Sequence, residues 1–404
     1  MKTCAIRTAL FGDNTTAKTL PIVIETYDSI DKVDTHPWNQ FVPENKQFLH
    51  SSYLRAIEQH HNDLKSYYTM IYYDSDLVGV AYFQVINIKD GLRVREEEAK
   101  DLKEKVADIV KKGINRVNVK LLMCGNAFIT GDYGFAFKKD MSDDLKITAL
   151  HEAVQTVQGL VNPNIVIIKD WHPQDMEAGK LLERYKFKEV HMQPNMVLTM
   201  WEEWKTFDDY LMSQTSKYRK NAKRLIKKGA ALERRELSLE DVEAANTKIY
   251  DLFKSVSDNA DFNLTTPAYD YFLECKRNAP ERFQIMGYYL EGEMVGFISY
   301  MINGDHLETH FIGFDKTYNH EHALYPSVLY DQVKIGIDAG VKSICFGRTA
   351  LEIKSNLGAV GEEYNCFFWA KNPIFHRYSS TLFDKLKDGK EGKLRHPFKE
   401  RTKT

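Results

Sequence analysis

MIYYDSDLVG (Met70–Gly79) and MGYYLEGEMVG (Met286–Gly296) carry the pattern that decides the fold of this chain. Each consists of two runs rich in apolar and aromatic residues around a short polar turn, which predicts a β-hairpin. Met-x-Tyr-Tyr precedes the turn and Val-Gly follows it in both, so the second turn is expected to hold one residue more than the first. A hairpin that recurs with the same residues predicts a duplicated domain.

The elements around the two hairpins follow the same order in both halves of the chain. Periodicity predicts helix, hairpin, strand, helix, strand, helix and strand in each half. We therefore expect an α/β (α+β) protein of two tandem domains, 1–200 and 201–385, each a mixed twisted sheet flanked by helices. A charged helix near 91–115 is expected as an insertion in the first copy, and the basic residues 386–404 are expected to form a flexible tail.

The two copies differ most just before their last strands, which are expected at 189–200 and 364–370. There the second copy has CFGRTALEIKSNLGA (Cys345–Ala359), whereas the first has Asp170–Pro173 followed by an ordinary helix. Charged groups crowd into this stretch directly after a buried strand, and open α/β sheets usually place their chemistry just past the carboxyl ends of strands. We therefore expect the active cleft in the second copy.

Composition limits the class of protein. The chain has 404 residues, 43% hydrophobic and 28% charged, as in folded proteins of two or three domains. A net charge of -2 excludes a globally basic nucleic-acid binder. The five cysteines form no CxxC pair, and no apolar run reaches the length of a membrane span. These features predict a soluble, cytoplasmic protein without a transmembrane segment.

Three segments, Leu182–Val190, Tyr218–Arg224 and Gly347–Ala359, resemble the GNAT acyltransferases and, among them, the bacterial Fem-type peptidyltransferases. Leu182–Val190 is similar to the late helix-to-strand turn of GNAT domains, and Tyr218–Arg224 and Gly347–Ala359 are similar to segments of FemAB-like proteins. The resemblance covers most of the chain as architecture, and its specific motifs lie in the second copy. It implies two GNAT-like domains, an amine as acceptor, and an acyl-CoA or an aminoacyl-tRNA as donor.

One departure from the GNAT pattern concerns the donor. Acetyl-CoA-dependent members typically hold the pyrophosphate on a Q/R-x-x-G-x-G/A turn at the start of the long helix. The corresponding segments, Tyr318–Pro326 in the second copy and Lys138–Ser142 in the first, lack these glycines. Coenzyme A is therefore not expected in its usual pose, and the departure favours an unconventional donor.

The strand predicted at His306–Phe314 holds two candidates for a catalytic base. Alternation places His306, Glu308 and His310 on one face, which predicts that this face borders a cleft while the other meets the core. Acyl transfer to an amine needs a base, and Glu308 or His310 is the candidate. A solvated face without function is the alternative interpretation. The same residues are possible Zn²⁺ ligands, but no further ligand spacing accompanies them, so no metal is expected.

The charged stretch of the second copy supplies the remaining catalytic candidates. Arg348 and Lys354 suit a carboxylate or phosphate of the substrate, and Asn356 is grouped with them as substrate-binding. Glu352 is a candidate to hold Arg348 or to receive the amine. Tyr325, at the start of the long helix, is a candidate donor to the oxyanion. A salt-bridged loop, and for Tyr325 an ordinary packed aromatic, are the alternative interpretations.

The segment Lys217–Lys228 contains seven Lys or Arg and no acid. As a helix it has a thin apolar stripe under a broad positive surface, which suits an anionic ligand such as a polyphosphate, tRNA or lipid headgroup. Arg219 and Lys223 are its substrate-binding candidates, and a solvated face is the alternative interpretation.

Together these features predict an acyltransferase that moves an acyl or aminoacyl group onto an amine of a small molecule or cell-wall precursor. Two alternatives stay open at this point. One is a catalytically silent GNAT-like protein that binds an anionic ligand, and the other is a conventional acetyl-CoA-dependent N-acetyltransferase.

Overall fold

The computed structural model describes residues 3–7, 22–59, 64–88, 119–258, 265–388 and 394–399. The charged helix predicted near 91–115 lies outside these residues. The chain divides into two compact units. Unit 1 comprises the described residues up to Met192 together with 265–267 and Tyr364–Lys387, and unit 2 comprises the other described residues.

Each unit is built on one mixed sheet. The strands of the described chain are β1 (Thr3–Arg7), β2 (Ile22–Tyr27), β3 (Leu64–Tyr73), β4 (Asp76–Ile88), β5 (Val119–Cys124), β6 (Phe135–Phe137), β7 (Ile165–Trp171), β8 (Lys188–Val190), β9 (Asn195–Thr199), β10 (Glu233–Glu236), β11 (Phe283–Leu290), β12 (Glu293–Asn303), β13 (His306–Phe314), β14 (Ser343–Cys345), β15 (Val360–Glu362) and β16 (Asn365–Ala370). The sheet of unit 1 has the order β1-β2-β3-β4-β5-β7-β16-β8, with β6 paired to β4, and that of unit 2 has the order β10-β11-β12-β13-β14-β9-β15. In each sheet one pair is parallel, β5 with β7 and β13 with β14.

Helices cover both sheets. The α-helices of the described chain are α1 (Thr35–Phe41), α2 (Ser51–Glu58), α3 (Asp143–Val161), α4 (Met176–Gly179), α5 (Phe207–Ser213), α6 (Ser216–Lys228), α7 (Leu239–Ala244), α8 (Asn246–Ser257), α9 (Tyr271–Asn278), α10 (Asn319–His322), α11 (Leu324–Asp338), α12 (Leu351–Ser355) and α13 (Pro373–Asp388). The apolar side of α3 joins the core of unit 1, and that of α11 joins the core of unit 2. The predicted α/β class, with mixed sheets flanked by helices, is confirmed.

The two hairpins share the same turn and the same β-bulge. Each turn holds two residues, 74–75 in one hairpin and 291–292 in the other, and all four have positive φ, as hairpin turns of this length require. The predicted extra residue in the second turn is therefore wrong. The pairing register shifts so that Val78 in one hairpin and Val295 in the other are the extra, bulged residues. The recurrence of Val-Gly thus marks a conserved bulge in the two copies.

The last strands of the two halves are exchanged between the sheets. β9 pairs with β14 and β15 in unit 2, whereas β16 pairs with β7 and β8 in unit 1. The single strand expected at 189–200 is therefore two strands in different sheets, and the compact units differ from the contiguous ranges 1–200 and 201–385. An alternating apolar strand is compatible with either sheet, so sequence order alone does not reveal the exchange.

Residues 394–399, expected to belong to a flexible tail, are docked on unit 2. The Thr215 N–H donates to the Pro397 carbonyl at 2.8 Å, and the Lys399 N–H donates to the Ser213 carbonyl at 3.1 Å. The Phe398 ring lies 4.8 Å from that of Trp201, centroid to centroid. An aromatic contact and backbone hydrogen bonds thus place this segment on unit 2, while the flexibility of 386–404 stays a prediction.

Candidate functional site

β13 and β14 separate at the carboxyl end of the parallel pair in unit 2. Their pairing ends at Glu308↔Cys345. β14 stops there, and Gly347 turns the chain with a φ of 77°, a conformation that glycine adopts without strain. β13 continues, and the Thr309 Oγ1 donates to the Cys345 carbonyl at 2.7 Å. The pairing of the two parallel strands thus ends at their carboxyl edge, where α/β proteins usually place their ligands.

Glu308 is buried at this separation, with 6% of its surface exposed. Burial, together with the negative charge of Glu308, holds the pKa of the Cys345 thiol well above its usual range. A thiol that stays protonated is a poor nucleophile, so Cys345 acts as a packed core residue. The predicted base Glu308 therefore lies at the end of the parallel strands, directly before the charged stretch.

His310 is half-buried among aromatic side chains. Its Nε2 is hydrogen-bonded to the Tyr271 hydroxyl at 2.9 Å, and its Nδ1 to the Ser299 hydroxyl at 3.0 Å. The rings of Phe283 and Phe311 also contact it, 5.4 and 4.4 Å away. Burial lowers the pKa of His310 to about 3. Tyr271 of α9 and Ser299 of β12 thus occupy both ring nitrogens, which leaves His310 poorly placed to act as a base.

Lys354 has the most strongly shifted pKa among the cations of the site. It lies on the short helix α12 and has 3% of its surface exposed. Its Nζ donates to the Gly347 carbonyl at 3.1 Å and has no other hydrogen-bond partner within the described chain. Burial lowers the pKa of Lys354 to about 7, because a buried ammonium with few acceptors is poorly solvated. Lys354 can therefore gain or lose a proton near neutral pH.

Arg348 and Tyr325 each contact a neighbouring residue of unit 2. The Arg348 Nε donates to the Gln193 carbonyl at 2.8 Å. The Tyr325 ring stacks on Phe314 with centroids 5.6 Å apart, and burial raises the pKa of Tyr325 to about 12. Its hydroxyl stays protonated and makes no hydrogen bond among the described residues, so it is available as a donor.

Two further predicted residues, Glu352 and Asn356, line an open cleft of about 220 Å³ on unit 2. Its walls come from the first turns of α6, from α12 and from the docked C-terminal segment, and its lining residues are Lys217, Tyr218, Asn221, Glu352, Asn356 and Arg395. Glu352 accepts two hydrogen bonds from the Arg395 guanidinium, from Nη2 at 2.5 Å and from Nε at 3.2 Å. The sequence named Arg348 as the partner of Glu352, whereas the structure pairs Glu352 with Arg395.

Arg219 and Lys223 do not line this cleft. The Arg219 Nη1 donates to the carbonyls of Met212 and Gln214, and Lys223 is exposed. Lys217 and Asn221, four residues apart on one side of α6, line the cleft in their place. Helical spacing was the signal that could have found this pair. No signal in the sequence links Arg395 to the site, because its position depends on how the chain end docks.

No three His, Cys, Asp or Glu side chains in the described part of the chain are grouped so that they could hold a metal ion. Within the same residues, no helix has both the length and the apolarity that crossing a bilayer requires. The cytoplasmic location stays a prediction.

Comparisons with known proteins identify the fold. Residues 216–355 match the family model described as an acetyltransferase (GNAT) domain. FemX has a similar structure, with a TM-score of 0.56 at 11% identity over 85% of this chain and 98% of its own. So does the C-terminal domain of an Agrobacterium fabrum protein named as a lysylphosphatidylglycerol synthetase, with a TM-score of 0.52 at 8% identity over 91% of this chain and 100% of its own. No curated protein matches the chain significantly.

These matches agree with the geometry, since the separated strands β13 and β14 lie within the matched residues. Residues 216–355 match the GNAT domain model, and the chain as a whole has the tandem GNAT, Fem-like fold that the resemblance implied.

Proposed function

We propose that the protein transfers an acyl or aminoacyl group onto an amine, at the separation of β13 and β14 in unit 2. The observation that carries this proposal is Lys354, a buried lysine that has a pKa near 7 and one hydrogen bond, to Gly347. Perturbed lysines of this kind are unfavourable for stability and cluster at functional sites. Lys354 also lies within the residues that match the GNAT domain model.

The reaction assigns a role to each candidate side chain. The amine nitrogen attacks the acyl carbonyl, and the new C–N bond gives a tetrahedral intermediate. Glu308 accepts the proton of the amine. The Lys354 ammonium stabilises the oxyanion, because the negative charge of the oxyanion raises the pKa of Lys354 and keeps it protonated. The Tyr325 hydroxyl is the second oxyanion donor. Collapse of the intermediate breaks the bond between the acyl carbon and the leaving group, which departs with the proton that Glu308 took from the amine.

The start of α11 bears on the donor. There the Asn319 Oδ1 accepts the Tyr325 N–H at 2.9 Å, so a side chain already occupies one of the N–H groups that would face a pyrophosphate. This supports a donor other than coenzyme A in its usual pose, such as an aminoacyl-tRNA. An aminoacyl donor also agrees with the name of one structural neighbour, lysylphosphatidylglycerol synthetase. The proposed acceptor is an amine of a small molecule or cell-wall precursor.

Mass spectrometry of the products tests the proposal. The protein is incubated with a panel of acyl-CoA and aminoacyl-tRNA donors and with amine acceptors, and the mass of each acceptor is followed. We expect one donor to modify an acceptor, and Lys354→Met to abolish the reaction. Lys334→Met is the matched control, because Lys334 is exposed on α11. Equal loss of activity in both variants would contradict the role of Lys354.

A catalytically silent binding protein is the second candidate, because the cleft lined by Lys217 and Arg395 presents two cations to an anion. It predicts that the wild-type protein modifies no acceptor with any donor of the panel and still binds an anionic ligand. That pair of results would replace acyl transfer as the proposed function.

A further inference from the structure

The cleft on unit 2 combines the groups that phosphate recognition needs. Lys217 and Arg395 supply positive charge, Asn221 and Asn356 supply amide donors, and Glu352 is the only acid among its lining residues. A phosphate offers three acceptor oxygens and carries up to two negative charges. A cation with several directed N–H donors therefore matches a phosphate better than it matches a carboxylate.

Arg395 is oriented and only partly used. Its Nε and Nη2 both donate to one oxygen, the Oε1 of Glu352. A guanidinium has five N–H donors, so the N–H groups of Nη1 and the second of Nη2 are left without a partner within the described chain. Glu352 thus fixes the plane of the Arg395 guanidinium, while the edge formed by Nη1 and Nη2 stays available for a bidentate contact.

The segment that carries Arg395 is held from both sides. The Arg395 N–H donates to the buried Ser355 hydroxyl at 3.0 Å, which ties the segment to α12. The pairing of Thr215 with Pro397 ties it to the start of α6. A side chain on a segment fixed in this way loses little conformational entropy when it binds a ligand.

Helix α6 adds to the attraction at the same place. Lys217 is its second residue, and Thr215, which precedes the helix, makes no side-chain cap. The uncapped N–H groups of a first turn and the helix dipole favour an anion there. Asn221 accepts from Arg224 at 2.9 Å through Oδ1, which leaves its amide N–H groups as the donors.

We propose that residues 394–399 complete a binding pocket for the phosphate or diphosphate of a small-molecule substrate, and that Arg395 is the residue that grips it. Glu352 is a positioning residue in this pocket and acts through Arg395. The inference goes beyond acyl transfer, since phosphate binding at this cleft can be measured without turnover.

Isothermal titration of the full chain with inorganic pyrophosphate and with inorganic phosphate tests the proposal. We expect pyrophosphate to bind, and Arg395→Gln to weaken it by about 10- to 100-fold, as expected for a lost hydrogen bond between charged groups. Lys399→Gln is the matched control, because Lys399 lies on the same segment, is exposed and bonds the Met212 carbonyl outside the cleft. It should change affinity by no more than about twofold.

Arg395→Lys separates the contribution of the bidentate guanidinium contact from that of the positive charge. We expect it to recover only part of the affinity, since a lysine keeps the charge and cannot make the bidentate contact. Thermal unfolding of each variant shows whether it is folded.

Three results would overturn the proposal. The first is a wild-type protein that binds neither pyrophosphate nor phosphate. The second is equal weakening by Arg395→Gln and Lys399→Gln, which would mean unspecific attraction to a basic surface. The third is a short RNA that binds in an Arg395-dependent manner while pyrophosphate does not, which would assign the cleft to nucleic acid.

Discussion

The Lys354 Nζ donates a hydrogen bond of 3.1 Å to the Gly347 carbonyl, and this contact holds a buried lysine that is about half protonated at pH 7. Because burial lowers the pKa of Lys354 from 10.5 to about 7, the folded state binds fewer protons than the unfolded state between these values. The free energy of unfolding therefore falls as pH drops from about 10.5 towards 7. The lysine lowers stability at neutral pH, which is expected of a group kept for function.

Lys354→Met should stabilise the protein while it abolishes acyl transfer. We expect a gain of about 1–3 kcal/mol in the free energy of unfolding at pH 7, because an apolar side chain of similar length replaces a buried cation. The gain should shrink towards pH 10, where the lysine is largely neutral in the folded protein. Urea unfolding at both pH values measures this. A variant that is less stable than the wild type at pH 7 would show that Lys354 is well solvated.

Glu308 and Glu352 should respond differently to the same substitution. Glu308→Gln removes the proposed base and should lower the rate of acyl transfer by about 10²- to 10⁴-fold. Glu352→Gln keeps an oxygen that can accept from Arg395 and should lower it by no more than about threefold, since its role is positional. Initial rates at saturating donor compare the two. The reverse order of effects would return the catalytic role to Glu352, as the sequence suggested.

His310 should contribute to stability and to its pH dependence without taking part in catalysis. Since burial lowers the pKa of His310 from 6.5 to about 3, its contribution is complete above about pH 6.5 and is lost as pH falls towards 3. At pH 5 this loss amounts to about 2 kcal/mol. His310→Gln should therefore unfold with a weaker dependence on pH between 7 and 5 than the wild type. Its acyl transfer per folded molecule should be unchanged, and a rate loss above about 10²-fold would restore His310 as a base.

Phe398 and Gly358 should both be required for docking of the chain end. Phe398 packs against Trp201 and Trp204, and Phe398→Ala should lower the free energy of unfolding by about 2–3 kcal/mol. Gly358 has a φ of 98°, and a Cβ there would clash with the Phe398 ring, so Gly358→Ala should lower the free energy of unfolding by at least as much. Chemical unfolding of both variants checks this. Wild-type stability in both would show that the segment is not docked in solution.

Acetyl-CoA should not bind at the start of α11 in the usual way, because Asn319 caps that turn. Millimolar acetyl-CoA is expected to raise the thermal midpoint by less than about 1 °C. A ligand whose Kd lies a hundredfold below its concentration would raise the midpoint by about 5–10 °C. Thermal unfolding with and without acetyl-CoA measures the shift. A large shift would support the conventional N-acetyltransferase.

The sequence alone determined the repeated hairpins, the order of helices and strands, and the stretch that contains Lys354. These features depend on neighbours a few residues apart: the period of two in β11 and β12, the positive φ of Gly292, and the helical spacing in α11. Local patterns of this kind depend little on the rest of the chain, and for this reason the duplicated architecture could be predicted.

Only the tertiary structure decided which sheet β9 and β16 join, that His310 is hydrogen-bonded to Tyr271 of α9, and that Arg395 reaches Glu352. Each of these depends on contacts between residues far apart in the chain, and the sequence constrains them weakly. An alternating strand fits either sheet, and a histidine on a strand face is solvated or buried according to which helix lies over it. For that reason the stretch Cys345–Ala359 could be recognised from its residues, whereas the partners that complete its site could not.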